Sequence, residues 1–214
     1  MPKYPGVSLS VINRLPRYFR YLTELKKNGT ERISSREFAQ LIGFTASQIR
    51  QDLNCFGGFG QQGYGYNVAS LHGEIGRILG VQEDRPAILI GIGNLGLALA
   101  NHVYFERQGF RLIGIFDKDS DKIGKEVRDW VVQDISTLED FCRKSQPDIA
   151  ILCAPRESVV DLVDQLVNLG VKGFWNFSHY DIALKYGNKV AVENVHLRDS
   201  LMTLGFRVSE LTSE

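Results

Sequence analysis

Three glycines, Gly91, Gly93 and Gly96, stand at G-x-G-x-x-G spacing after the apolar run Ile88-Leu89-Ile90 and before an alanine- and leucine-rich segment. A strand, a tight turn and a helix in that order make a receptor for a pyrophosphate. The first glycine turns the chain out of the strand. The second lets a phosphate approach the backbone, and the third lets the helix lie close to the sheet. The helix start adds unpaired N–H groups and the positive end of its dipole. The candidate phosphate loop is therefore Gly91-Ile92-Gly93-Asn94-Leu95-Gly96. A second apolar run, Leu112-Ile113-Gly114-Ile115-Phe116, ends in Asp117, 21 positions after Gly96. That matches the roughly 20-residue spacing of an acid that binds the adenosine ribose hydroxyls. A carboxylate there repels a 2′-phosphate, so the pattern selects NAD(H). The competing reading is a glycine turn and a strand-end acid in an α/β domain that binds something else.

These residues need a sheet to position them. From residue 87 the pattern alternates strand and helix: strands at 87–90, 112–116, 130–132, 149–154, 173–177 and 190–192, with helices at 95–105, 135–143 and 158–169. Repeated β-then-α units predict a parallel, doubly wound sheet of Rossmann type. Ligands of such sheets bind at the carboxyl ends of the strands. Gly91, Asp117, Ala154, Pro155 and Asn176 then face one crevice, and their neighbours Lys118 and Phe177 complete the candidate cofactor-binding set.

The N-terminal third reads differently. Leu9, Ile12, Leu15, Phe19, Leu22 and Leu25 form an amphipathic stripe that starts or kinks at Pro16. Arg14, Arg17 and Arg20 lie outside the stripe. Ser34-Ser35-Arg36-Glu37 and Thr45-Ala46-Ser47-Gln48 both have capping-box spacing, with Gly43 between the two short helices they open. This is helix-turn-helix spacing, in which the start of the second helix reaches base edges in the major groove. The candidate DNA contacts are Ser35, Thr45, Ser47, Gln48, Arg50 and Gln51, with Arg14 and Arg17 from the preceding helix. The glycine-aromatic segment 56–66 predicts a hairpin wing with Gln61 and Gln62 at its tip and Tyr66 in its return strand. The bland alternative is a small helical bundle.

Composition agrees with a split chain. The net charge is zero, from 25 Lys and Arg against 25 Asp and Glu. Residues 1–66 nevertheless hold nine basic and four acidic residues. A basic module joined to an acidic ligand domain suggests a nucleic-acid partner. No apolar run reaches the roughly 18 residues of a membrane span, and residues 1–10 lack a signal-peptide pattern. Cys55, Cys142 and Cys153 have no metal or redox spacing, so a cytoplasmic location with reduced thiols and no metal is expected. The polar break at 82–86 separates a DNA-binding domain with linker helix, 1–82, from a nucleotide domain, 83–193. A C-terminal helix, 194–214, has an apolar stripe at Leu197, Leu201, Leu204 and Leu211 that needs a surface to cover it.

Taken together the motifs resemble the Rex redox-sensing transcriptional repressors of bacteria, over nearly the whole chain. The resemblance rests on Ile12-Asn13-Arg14-Leu15-Pro16-Arg17-Tyr18, Gln48-Ile49-Arg50-Gln51-Asp52, Gly63-Tyr64-Gly65-Tyr66-Asn67, the glycine loop, Phe116-Asp117, Lys122-Ile123-Gly124 and Asn176-Phe177. It implies a homodimer of winged-helix and Rossmann domains with the C-terminal helix exchanged between subunits. It also implies repression through an inverted-repeat operator on double-stranded DNA, with NADH releasing the protein and NAD+ permitting binding. Departures from the pattern are Gln51, Gln61 and Gln62, where basic residues are common. Each missing phosphate contact lowers the salt dependence of binding by roughly one. The family's redox gate maps to Arg20, His102 and His196, with histidine where tyrosine and aspartate are usual. A protonated histidine repels Arg20 where an aspartate attracts it, so the gate is expected either to depend on pH or to work through other contacts such as Glu193 or Tyr104.

Two other classes are compatible with parts of the pattern. An NAD-dependent oxidoreductase would draw on His179 and Asp181, but no substrate domain accompanies them. A binder of coenzyme A or another adenine nucleotide would use a similar glycine loop. A thiol switch at Cys55, beside the second helix, is a further minor reading.

Overall fold

A computed structural model describes Tyr4, residues 6–61 and residues 64–212. The chain divides into two compact units, Met1–Gln82 and Glu83–Glu214.

In the first unit α1 (Leu9–Ile12) is short, and α2 (Leu15–Lys27) restarts with Pro16 in its first turn. A proline is tolerated there because the N–H it lacks would have no intrahelical partner. β1 (Arg32–Ile33) follows, then α3 (Ser35–Ile42), whose capping box is complete. Ser34 Oγ accepts from the Glu37 N–H at 3.1 Å, and Glu37 Oε2 accepts from the Ser34 N–H at 2.8 Å. Gly43 ends α3 in the left-handed conformation, and α4 (Ala46–Asn54) starts on the Thr45 cap. The wing is β2 (Gly60–Gln61) and β3 (Gly65–Asn67), antiparallel. β1 pairs with β3 on its other side, a strand whose two residues carry no readable period. α5 (Val68–Leu79) closes the unit. Leu15, Tyr18, Leu22, Phe38, Ile42, Ile49, Leu53, Leu71 and Ile75 form one core, each almost wholly buried.

The second unit is built on β4 (Arg85–Ile90), α6 (Asn94–His102), β5 (Phe110–Asp117), β6 (Glu126–Val127), β7 (Trp130–Asp134), α7 (Leu138–Ser145), β8 (Ile149–Leu152), α8 (Arg156–Asn168), β9 (Gly173–Asn176), α9 (Ile182–Tyr186), β10 (Ala191–Asn194) and α10 (Leu197–Thr212). The sheet runs β10-β9-β8-β4-β5-β7-β6. Leaving aside β6, the strands are parallel and follow the doubly wound order 3-2-1-4-5-6. The expectation of a wholly parallel sheet is corrected at one edge, where β6 pairs antiparallel with β7. Alternation divides the core between the two sheet faces: Ile88, Ile90, Ala150 and Leu152 on one, Leu89 and Ile151 on the other.

α10 buries none of its residues against its own chain. Leu197, Leu201, Leu204, Val208 and Leu211 are all at least half exposed and recur at a 4-3-4-3 spacing. That is the seam of a helix built to pack on another surface.

Candidate functional site

β4 is the first strand of the doubly wound order, and β5 and β8 leave it in opposite directions. Their carboxyl ends therefore open a crevice. Gly91 turns the chain here at φ +94°, its N–H donating to the Phe116 carbonyl at 2.8 Å. A Cβ on Gly91 would stand 2.8 Å from the Ala154 nitrogen. Gly93 is the N-cap of α6, with no side chain to cap the first-turn N–H groups, and a Cβ on it would meet nothing within 4 Å. A Cβ on Gly96 would stand 1.9 Å from the Gly91 carbonyl oxygen. Open space at the second glycine and direct backbone contact at the third are what a phosphate-receiving turn requires.

Asp117 ends β5 with its carboxylate 8% exposed. Its Oδ2 accepts from the Ile92 N–H at 2.7 Å and from Lys122 Nζ at 3.3 Å, and its Oδ1 from the Asp119 N–H at 3.0 Å. Burial would raise its pKa, but the Asp119 and Ile92 amides and the Lys122 ammonium outweigh that and hold it below the ordinary carboxylate value. Asp117 thus does two things: it presents an ionised carboxylate, and it braces the glycine loop through Ile92.

A cavity of about 1000 Å³ occupies the crevice. Gly91, Gly93, Asp117, Lys118, Ala154 and Pro155 line it, as expected. Asp119, Lys122 and Ser158 line it too and were not singled out for it. Lys122 pairs with Asp119 at 3.2 Å as well as with Asp117, and Lys118 Nζ donates to Ser158 Oγ at 3.1 Å. Cys153 also borders the cavity, with burial pushing its thiol up to about 12. Asn176 and Phe177 are not among the lining residues. The Asn176 amide is wholly buried. It donates to the Tyr180 carbonyl and to Asn194 Oδ1, both at 2.8 Å, and accepts from the Ser178 N–H and Oγ. With its hydrogen-bonding groups committed to protein, it pins the β9 and β10 ends rather than facing a ligand. Phe177 packs edge-on against Trp175, ring centroids 4.7 Å apart.

In the first unit, α3 and α4 form the helix-turn-helix pair. Thr45 Oγ1 accepts from the Gln48 N–H at 3.1 Å, but the reciprocal half of the second capping box is absent. The Gln48 side chain turns instead to Asp52, donating to Oδ1 at 2.8 Å. Asp52, 1% exposed, also receives both Nε and Nη2 of Arg14, at 2.6 and 2.7 Å, and the Tyr18 hydroxyl at 2.6 Å. Burial works against its ionisation, and the bonds from Arg14, Tyr18 and Gln48 reverse that and lower its pKa. Tyr18 is raised, by burial first and then by Asp52. Two expected DNA contacts, Arg14 and Gln48, are therefore turned inward to Asp52, Arg14 tying the start of α2 to α4 and Gln48 bonding within α4.

Arg17, Ser47, Arg50 and Gln51 are exposed. Arg17 lies over the Phe44 ring, and Arg50 Nη1 donates to Ser35 Oγ at 3.0 Å. Tyr66 is 7% exposed and belongs to the core, because a two-residue register opposite Gly60 turns its ring inward. Gln62 and the Gln61 side chain lie outside the described residues. Cys55 is exposed at the end of α4, its Sγ 3.4 Å from the Gln51 carbonyl.

Of the expected gate, Arg20 is exposed in the first unit and lies over the Tyr21 ring. His102 is exposed at the end of α6 in the second unit. His196, just before α10, stacks on His179 with ring centroids 5.4 Å apart, and its Nδ1 is buried without a partner among the described residues. That stack engages the His179 suggested for an oxidoreductase. Among the described residues no group of three metal-ligating side chains occurs, and no helix is long and apolar enough to cross a membrane.

Comparison with known proteins bears on both units. Residues 6–54 match the family model described as putative DNA-binding protein N-terminus, and residues 82–180 match the CoA binding domain model. The redox-sensing transcriptional repressor Rex of Thermoanaerobacter pseudethanolicus is 53% identical over 210 residues, spanning 98% of this chain and 93% of the relative. The Rex-family repressor RSP, solved with beta-NAD+ and operator DNA, superposes with a TM-score of 0.89 at 51% identity, over 96% of this chain and 94% of that one. RSP solved with beta-NADH gives 0.88 at 48% identity, over 97% and 96%. The chain belongs to the Rex family of redox-sensing transcriptional repressors.

Proposed function

We propose that this protein is a DNA-binding repressor that senses the NADH/NAD+ ratio, holding an inverted-repeat operator as a homodimer and leaving it when NADH binds. The observation that carries the reading is the convergence of the glycine turn, the uncapped start of α6 and the Asp117 carboxylate on one cavity. Gly93 and the α6 amides would receive the pyrophosphate, and Asp117, with lone pairs to spare beside its three donors, the adenosine ribose. No catalytic step is needed. Reduced and oxidised nicotinamide differ in charge and planarity, and a ligand moves a protein between two states only through differential affinity for them. A tenfold release from DNA needs about 1.4 kcal/mol of such difference.

On the DNA side the start of α4 supplies Ser47, Arg50 and Gln51, with Arg17 beside it. We take 1–82 as the winged-helix domain, 83–193 as the nucleotide domain and 194–214 as an arm exchanged with a second copy in the cytoplasm. The exposed seam of α10 supports the exchange. The match of 82–180 to a CoA binding domain keeps coenzyme A as the competing ligand. Fluorescence anisotropy of a labelled duplex carrying the RSP operator, titrated with NADH, NAD+, NADPH and coenzyme A, tests the reading. NADH is expected to weaken binding at least tenfold, and NAD+ to sustain it. Release by coenzyme A alone, or no binding to the duplex, overturns it.

A further inference from the structure

The first unit contains one buried carboxylate, among the described residues, that nothing above uses for recognition: Asp52, on the inner face of α4. Its four donors come from Arg14 at the N-cap of α2, from Tyr18 in α2 and from α4 itself, and they include both nitrogens of the Arg14 fork that face it. A bidentate arginine–carboxylate pair fixes direction as well as charge. Arg14 is 22% exposed, so it stands at the surface with its charge already matched. Gln48, one turn before Asp52, is held by the same carboxylate and not offered outward.

A DNA-reading surface faces a specific difficulty. Any free cation beside the recognition helix strengthens binding to every sequence alike, because phosphates are everywhere. Discrimination is the ratio of operator binding to that background. A cation tied to a buried carboxylate adds little to the background.

We propose that Asp52 is a specificity-determining positioning residue: by holding Arg14 and Gln48 inward, it keeps α4 from binding DNA indiscriminately and leaves sequence reading to Ser47, Arg50 and Gln51. The proposal rests on the repressor reading above. It is distinct from a purely structural role, since losing a structural tie lowers all DNA binding together, whereas losing this one raises the background.

The test uses the full-length protein, the labelled RSP operator duplex and a scrambled duplex of equal length. Asp52→Asn keeps the side-chain volume and removes the charge. It is expected to strengthen binding to scrambled DNA at least threefold, to cut the operator-to-scrambled ratio at least tenfold, and to steepen the salt dependence on scrambled DNA by about one. The double variant Arg14→Gln with Asp52→Asn removes the freed cation. It is expected to return scrambled-DNA binding to within twofold of wild type, with circular dichroism showing that both variants fold. A parallel loss of both affinities in folded D52N, an unchanged ratio, or a background gain that persists in the double variant each overturns the proposal. If D52N does not fold, Arg14→Gln alone decides: a fall on scrambled DNA of threefold or more shows that Arg14 already acts as a free cation, and refutes it. Wild-type protein with no preference for the operator refutes the repressor reading itself.

Discussion

Replacing Gly96 and Gly93 separately by alanine should have opposite signatures, although both glycines belong to one loop. At Gly96 the new Cβ would lie 1.9 Å from the Gly91 carbonyl oxygen and 3.4 Å from Cys153 Cβ. The obstacle is backbone, and ordinary contact begins near 3.4 Å. The α6 start must therefore retreat from the sheet by about 1.5 Å, enough to forfeit much of the dispersion energy across that contact. Overpacking of this kind costs on the order of 3 kcal/mol, the upper end of the usual range, because no side chain can swing aside. For a unit of this size that is a fall in Tm of about 10 °C. At Gly93 the φ is −78° and a Cβ meets nothing within 4 Å, so Gly93→Ala should melt within about 2 °C of wild type. The same open space is where a pyrophosphate would approach, and a methyl there should cost at least tenfold in NADH affinity. Calorimetry of the nucleotide-unit transition and NADH titration followed by ligand fluorescence measure the two effects. A Gly96→Ala protein with wild-type Tm, or a Gly93→Ala protein with wild-type NADH affinity, refutes the assignment of separate roles.

Other outcomes follow from the same geometry. Asp117→Asn should weaken NADH binding and alter acid stability. A carboxylate with a depressed folded pKa contributes stability that is complete above its unfolded pKa and lost as pH falls through the folded value. The variant's melting temperature should therefore fall less steeply than wild type below about pH 4. Ser34→Ala removes the Oγ that accepts from the Glu37 N–H, one half of the α3 capping box, and should cost about 1 kcal/mol in urea unfolding of the first unit. Leu201→Asp with Leu204→Asp places charges on the α10 seam and should leave the protein monomeric in light scattering, where the wild type is expected to be the proposed dimer, with loss of operator binding.

The backbone of the ligand site was legible because glycine spacing and apolar runs report steric demands that are local. Gly91 turns the chain, Gly93 leaves open space and Gly96 lies against backbone, the sterics their positions in the motif imply, and Asp117 sits at the end of the strand that should carry it. Lys122 was not legible as part of the site, since it reaches Asp117 only through the turn that replaces a helix between β5 and β7. Likewise β6 was missed, because two residues cannot display a period of two.

Polar side chains were the less readable part, and the reason is physical. Residue type says that Gln48, Arg14, Asn176 and Tyr66 can hydrogen-bond or touch a ligand; it does not say whether a buried partner already claims them. Asp52 lies four residues after Gln48, a helical spacing that permits the contact without requiring it. Arg14 is 38 residues from Asp52, a separation at which no sequence period is informative. Asn176 is claimed by a loop and a neighbouring strand that only the sheet order brings together. In each case the buried group with unmet hydrogen-bonding demand determines where the polar residue turns, because an unsatisfied buried carboxylate or amide costs more than a solvated side chain loses by turning inward. A surface open to recognition is thus what remains after the interior has been satisfied: on α4 the exposed remainder is Ser47, Arg50, Gln51 and Asn54, of which the first three are those we propose to read DNA.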